Sequence, residues 1–510
     1  MYPYLTRSRS SSLATDDALH TPPPTPPPLA PPPLRPRPPS HKHATTQTSH
    51  STVTTSGSDR GESESDPETT TSADSSPPSE VLDHVTLDEL EAATLMEIDE
   101  YISTHPLSYA NPTFHEDLLE AVTDTLYEAA VLSHTLRADT DANRQAMHQF
   151  VQLYTQLYFH TTGLAPVRSY PADTPLTEIH PPQHRVDAPT TQAHIEHLRS
   201  QVLPSQRTPE WYVARHNLMT ASDIYKVLGT EALFNSYVYS KCKPAPVPTV
   251  DTAQQYVNTH LSTHHGEKYE PVTAAIYQEL YPGNTLDTTF GCITHPRYPF
   301  LGASPDGIIT AGPRMGHMIE IKNRASAANE ITGIPSLAYW VQTQLQMEVC
   351  DLERCELFET RIKEFPSDQA FYDNVGLYDY RGVILYFVSK EAMGVPKYVY
   401  MPPVGVQVDR PEVEAWIHRH RMAMGTEYVL MEVQYWYLEE MSCVVIPRNR
   451  VWFAAALPRF QEAWSTILRE RVSGYEHRAP RRRAPASSRA PTVSAALMQV
   501  IKLDQEQDQG

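Results

Sequence analysis

The sequence predicts a mixed α/β fold, a central sheet flanked by helices, and three patterns carry that expectation. Residues 308–310 and 318–323 are strand-like stretches separated by the turn-like run 311–316, which is a hairpin signature. Residues 382–388 form a continuous apolar run of strand length, and 398–401 a shorter one. Helical spacing recurs at Val272, Ile276 and Leu280, across 339–347, across 410–424 and across 453–471.

Along the chain, residues 1–80 are rich in Pro, Ser and Thr, with Asp59, Glu62, Glu64, Asp66 and Glu68 set among serines. Such a segment buries too little apolar surface to offset chain entropy, so a disordered tail is expected. From 81 to 164 the pattern turns helical, with Leu87, Leu90, Leu95 and Ile98 on one stripe and Leu118, Leu119, Val122, Leu126 and Ala130 on another; a small helical lobe follows from it. Residues 165–199 carry prolines and few apolar runs and read as a linker. The main domain is expected over 200–472. A tail is expected over 473–510, where Arg478 and Arg481 to Arg483 suit a nuclear-import signal, a phosphate contact or a merely solvated end.

Within the 510 residues no apolar stretch reaches membrane-spanning length and the N-terminus lacks a hydrophobic signal region, so a soluble intracellular protein without membrane attachment is expected. The five cysteines, Cys242, Cys292, Cys350, Cys355 and Cys443, form no CxxC pair and no even disulfide set, which suits reduced thiols. His260, His264 and His265 have helical spacing but lack the glutamate of a zincin motif, and a solvated cluster is the better reading. The net charge of −20 gives no basic face for a polyanion, so any such binding must rest on local cations; Arg215, Lys226, Lys241, Lys243, Arg297, Arg314 and Arg324 are the candidates.

The residues with most chemical content lie on the hairpin. Period-two geometry puts Glu320 and Lys322 on one face of the second strand, and closing the hairpin brings Asp306, in the run Gly302-Ala303-Ser304-Pro305-Asp306-Gly307, towards Glu320. Two carboxylates beside an ammonium suit a hard divalent cation such as magnesium, which takes one or two carboxylates plus water and phosphate. Each piece alone also reads as an ordinary turn or a surface charge pattern. Residues 266–280 look like a helix with Pro271 in its first turn, where a missing amide proton is tolerated, and Glu270 near its start suits either the metal or the helix dipole. Thr220-Ala221-Ser222-Asp223 reads as an N-cap leading into a helix, an anion-friendly place, and Arg215 is a side chain suited to bidentate phosphate contact. In the helix at 339–347, Gln344 shares a side with Trp340 and Met347.

The ordered set Trp211-Tyr212-x-x-Arg215, Thr220-Ala221-Ser222, Gly266-x-x-x-Glu270-Pro271, Gly302-x-Ser304-Pro305-Asp306-Gly307, Glu320-Ile321-Lys322 and Tyr339-x-x-Gln342-x-Gln344-x-x-Met347 resembles the YqaJ-type viral recombinase family. That family is grouped with lambda-type exonucleases and herpesvirus alkaline nucleases in the PD-(D/E)XK superfamily, and the resemblance spans 205–365, roughly a third of the chain. It implies a restriction-endonuclease-like core and a nuclease domain at 200–472. By position it implies Glu270, Asp306, Glu320 and the backbone carbonyl of Ile321 as metal ligands and Lys322 as the catalytic lysine. Gln344, or else Gln342, matches the supporting glutamine, and Arg215 and Ser222 match the residues that hold a terminal 5′-phosphate.

The activity so implied is Mg²⁺-dependent, Mn²⁺-tolerant 5′-to-3′ exonuclease action on double-stranded DNA ends, for recombination or replication. A single-strand annealing partner, a homo-oligomeric ring and, for a viral protein, the host nucleus or a viral replication compartment go with it. Two alternatives stay open at this point: a DNA endonuclease or RNA-degrading host-shutoff nuclease on the same fold, and a catalytically silent DNA-binding or virion scaffold protein.

Overall fold

The computed structural model describes residues 87–480 apart from 137, 176–178, 180–187, 202, 205–207, 246–258, 260, 327–329, 375, 392–394 and 406–408. The tail expected over 1–80, His260 and the basic residues Arg481 to Arg483 lie outside the described residues.

The stretch read as a helical lobe forms α1 (Leu87–Thr104), α2 (Phe114–Leu132) and α3 (Asp141–Thr162). Each buries one stripe: Leu90, Ile98 and Ile102 from α1, Phe114, Leu118, Val122 and Leu126 from α2, Met147, Phe150 and Val151 from α3. Thr140 caps α3 by accepting from the Asn143 amide. The three helices share one apolar core with the residues behind the main sheet. Buried Arg168 fastens them there by donating to the carbonyls of Tyr109, Ala110 and Pro335.

The segment expected as a linker carries structure of its own: β1 (Tyr170–Pro171) and α4 (Ala188–Ser200). Helix α4 buries only Ile195 and Leu198, too few apolar positions to show a helical period. It docks through His194 to the Cys350 carbonyl and through an Arg199–Asp287 ion pair.

The main domain follows in the order α5 (Pro209–His216), β2 (Met219–Thr220), α6 (Tyr225–Leu228), α7 (Glu231–Cys242), α8 (Ser262–Leu280), β3 (Thr285–Asp287), β4 (Ile293–Thr294), β5 (Leu301–Ala303), β6 (Gly307–Ala311) and β7 (His317–Asn323). It continues with α9 (Leu337–Cys350), β8 (Arg354–Glu364), α10 (Asp368–Asp373), β9 (Arg381–Ser389), β10 (Pro396–Tyr400), α11 (Arg410–Met424), β11 (Tyr428–Pro447) and α12 (Arg450–Ser473). The main sheet runs β10-β9-β11-β8-β7-β6-β3, with β1 paired to β11. Only β7 and β8 are parallel within it, joined through α9, so the sheet is mixed as expected.

The expected hairpin is β6–β7, in register Gly307↔Ile319 and Ile308↔Met318. Its turn requires glycine at 312, where φ is +101° and an added Cβ would lie 2.2 Å from the Gly283 carbonyl oxygen. Alternation then sorts the side chains. Ile309, Ile319, Ile321, Phe358 and Ile384 pack with Val272 and Ile276 of α8, while Ile308, Met318 and Leu357 pack with α9 and α12 on the opposite face. Helix α9 lies between the sheet and α12, and nearly all its side chains are buried.

Helix α8 begins earlier than its sequence suggested, so Pro271 stands inside it rather than in its first turn. The proline supplies no amide proton to the Glu267 carbonyl. Side chains meet the carbonyls on either side: Asn323 donates to Gly266 O at 3.0 Å and Tyr400 to Lys268 O at 2.9 Å. Residues 474–480, expected as the start of a tail, are among the described residues and pack on the domain. Arg478 folds back to pair with Glu470 and to bond Asn235.

The α8 face of the sheet encloses a second acid. Glu356, fully buried, accepts from Arg314 at 2.7 Å, His317 Nδ1 at 2.7 Å and Tyr277 OH at 2.9 Å. Arg314, a candidate phosphate contact by sequence, is therefore consumed internally. Burial opposes the charge on Glu356, but His317 and Arg314 outweigh it and hold the carboxyl below its ordinary range. A buried pair broken on one side is costly, so Arg314→Ala is expected to lower the unfolding free energy by about 3 kcal/mol near neutral pH. Because the folded-state value is depressed, the stabilisation is present above the ordinary carboxylate range and lost below it; urea titrations should show the gap between parent and variant closing on acidification.

Candidate active site

A short parallel pairing assembles the site. β2 and β5 align Thr220 with Gly302, and each chain then runs on by two residues to Ser222 and Ser304. Gly302 is needed for this approach, since a Cβ there would meet Leu218 at 2.8 Å and the Ile293 carbonyl at 3.2 Å. The Arg215–Ser222 block is thereby set beside the Ser304–Asp306 block, although about eighty residues separate them in sequence. Ser222 lies in a turn before the four-residue α6, whose N-cap is Ile224 with no side-chain cap bond, so it does not serve as the capping residue its sequence suggested.

The resulting cleft, about 340 Å³, is lined by Trp211, Arg215, Ser222, Glu270, Asp306, Glu320, Ile321, Lys322, Asn323, Gln342 and Gln346, among others. All the expected site residues except Gln344 meet there. Arg215 stacks over the Trp211 ring, 4.6 Å from its centroid. Ser304 Oγ and Trp211 Nε1, both in the cleft wall, are buried without a protein partner.

Glu320 is the pivot. It is 1 % exposed, and three side chains hold it: Lys322 Nζ and Gln342 Nε2 (2.6 Å) both donate to Oε1, and Gln346 Nε2 donates to Oε2 at 2.5 Å. Gln342 and Gln346 are one helical turn apart on the α9 face that looks at the sheet. Gln344 faces the other way, donating to the Pro447 carbonyl at 2.9 Å and accepting from the Asn449 amide at 2.6 Å. Its expected role in the site is thus corrected: in this largely buried helix Gln344 shares the side of Trp340, which packs on Trp452 of α12. Gln346 was missed by sequence. The i, i+4 spacing of Gln342 and Gln346 was the available signal.

Asp306 sits just before β6 and accepts from the Ile321 amide at 2.7 Å. Loss of solvent, then the charges of Glu320 and Glu270, push its carboxyl well above the ordinary range. Lys322 is raised too, which in a lysine favours the charged form. Burial opposes its charge, but Glu320 and Asp306 raise it far above the ordinary lysine value, and the Tyr339 ring lies 5.0 Å from its Nζ. Of the other cations weighed by sequence, Lys226 pairs with Asp223, and Arg324 with Glu359 and the Tyr339 hydroxyl. Lys241 donates to the carbonyls of Arg215 and Leu218, and burial lowers it to about 8.

Among the described residues no group of three or more His, Cys, Asp or Glu side chains stands as a ready chelate. What the cleft offers is two acids on one hairpin, the Ile321 backbone beside them and Glu270 in the same lining. An all-oxygen set with few protein ligands, in which Asp306 is crowded by two further acids, fits a hard dication that keeps waters and takes further oxygens from a phosphate; it does not fit zinc, which favours nitrogen and sulfur. His264, weighed for zinc, bonds Tyr398 OH at 2.7 Å instead.

Residues 210–353 match the model of the YqaJ-like viral recombinase domain, within the segment whose motifs carried the resemblance. An uncharacterized protein of Acanthamoeba polyphaga mimivirus is 25% identical over 300 residues, which cover 52% of this chain and 52% of that protein; the chain spans about half the length of this curated relative. Among solved structures, the alkaline exonuclease LHK-Exo from Laribacter hongkongensis is 20% identical over 53% of this chain and 95% of that one, with a TM-score of 0.28. A SOX–DNA complex is 12% identical over 79% of this chain and 96% of the other, with a TM-score of 0.22.

The two classes of glutamine should separate experimentally. Gln342→Ala and Gln346→Ala each remove an anchor of Glu320 and are expected to lower turnover at this cleft roughly tenfold or more. Gln344→Ala should leave turnover per folded molecule within about twofold and lower the unfolding free energy by about 1–3 kcal/mol, as an unsatisfied buried amide does.

Proposed function

We propose that this chain, with a YqaJ-like viral recombinase domain at 210–353, is a metal-dependent nuclease that degrades double-stranded DNA from its 5′ ends. The observation that carries the reading is that Arg215 and Ser222, side chains suited to an anion, line the same cleft as two hairpin acids and a lysine. A nuclease needs such a combination: donors to hold one phosphate and a charged centre to attack the next. Asp306, Glu320, the Ile321 carbonyl and Glu270 would hold Mg²⁺, or Mn²⁺ in its place. When bound, the ion supplies Lewis-acid polarisation of the scissile phosphate and stabilises charge on the leaving oxygen.

The chain's own residues do the rest. Arg215 and Ser222 grip a terminal 5′-phosphate and set the distance to the scissile bond, with Trp211 backing the guanidinium. Lys322, kept charged by its two acidic neighbours, donates to the attacking water or to a phosphate oxygen and offsets negative charge there. Gln342 and Gln346 occupy both oxygens of Glu320 so that it keeps one orientation. Local cations at Arg215 and Lys322 allow a strongly acidic chain to accept a polyanion at this one place.

The test is release of labelled nucleotide from linear duplex bearing a 5′-phosphate at one end, with Mg²⁺ or Ca²⁺. We expect Mg²⁺-dependent release from that end, a drop of at least about a thousandfold in Lys322→Ala, and loss of preference for phosphorylated over hydroxyl ends in Arg215→Ala. Internal cuts, or faster cleavage of RNA, would replace this reading with an endonuclease or RNA-degrading one. Binding without cleavage under any divalent ion would point to a silent scaffold.

A further inference from the structure

We infer that Asn323, the residue after Lys322, is a positioning residue that fixes Glu270 for its task in the cleft. The inference rests on the metal-binding reading above and deepens it. Glu270 is the one acid of the site that does not belong to the β6–β7 hairpin; it is carried on α8, so its place depends on how that helix is held. Close to Glu270 the helix is weakened by Pro271, which gives no amide proton to the turn containing it.

Asn323 spans that gap with its whole amide. Its Nδ2 donates to Gly266 O at 3.0 Å, four residues before Glu270, and its Oδ1 accepts from Thr273 Oγ1 at 2.6 Å, three residues after it. The same oxygen accepts from Thr360 Oγ1 of β8 at 2.7 Å, and the two threonine hydroxyls lie 3.0 Å apart. Thr273 and Thr360 are both fully buried, so these bonds do not exchange with solvent. Asn323 thus grips α8 on both sides of Glu270 and ties it to the two central strands, one of which carries Lys322 and Glu320. Partners one step removed from a metal ligand commonly set its affinity by a factor of 10 to 100.

The experiment is Mn²⁺ binding to the full chain, followed by the electron paramagnetic resonance signal of free Mn²⁺, with thermal unfolding recorded in parallel. Asn323→Ala and Thr273→Val, the latter nearly isosteric, should each weaken Mn²⁺ binding about tenfold, whereas Thr273→Ser, which keeps the hydroxyl, should stay within about twofold of the parent. In a Glu270→Gln background Asn323→Ala should cost little more, because its effect passes through Glu270. Parent-like affinity in Asn323→Ala and Thr273→Val, or full additivity with Glu270→Gln, would overturn the positioning role and leave the metal reading standing. A parent that binds no Mn²⁺, or a Glu270→Gln variant that binds as tightly as the parent, would overturn the metal reading and this inference with it.

Discussion

A carboxylate buried in the middle of a sheet is the constraint around which this chain is built. Glu320 loses almost all its water on β7, and without donors that loss would cost several kcal/mol or would protonate the group. The chain answers with one ammonium two residues on, which period-two geometry places on the same face, and with two amides one helical turn apart on α9. Helix α9 must therefore sit tightly on the sheet, and it can do so only if its far side is covered as well. α12 and the N-terminal helices provide that cover, joined to α9 in a single apolar core. The helical lobe is in this sense part of the support of Glu320.

The neighbouring strand shows the contrasting solution. Glu356 stands beside Ile319 in the parallel ladder and points to the opposite face of the sheet from Glu320. It is closed in by an arginine, a histidine and a tyrosine, and Arg314 in turn stacks 3.9 Å over the Tyr281 ring. Among the described residues that enclosure leaves Glu356 fully buried. Glu320 is matched by one lysine among the described residues, and that lysine also serves Asp306, whose carboxyl is pushed well above its ordinary range by burial and by the charges of Glu320 and Glu270. Two buried acids on adjacent strands thus differ in chemical availability because of how much cationic charge faces each.

Much of this was legible in the sequence. The hairpin, the strands at 381–389 and 396–400, and the helix at Arg410–Met424 follow from periodicity and turn residues, and Asp306, Glu320 and Lys322 converge as strand alternation requires. Legibility failed where a residue's direction depended on tertiary surroundings. A helix buried on all sides has no polar face to orient it, so the choice between Gln344 and its neighbours could not be made from spacing, and Gln346 went unnoticed. Pro271 pointed to a helix start because proline is tolerated there, but bonds from Asn323 and Tyr400 to nearby carbonyls permit it inside α8. Helix α4 was hidden by a polar sequence whose two buried residues gain meaning only against the sheet.

The short ladder between β2 and β5 sets the reach of the cleft. It fixes the distance from the Arg215–Ser222 block to the acids by register, independently of the chain that connects them. Both α7 and α8 lie in the intervening sequence, and each is placed by its own packing rather than by this ladder. The reach from Arg215 and Ser222 to the acids therefore follows from the register of two short strands rather than from the length of sequence between them. The cleft's measuring distance is thus set by a local pairing and insulated from how much sequence lies between the two blocks.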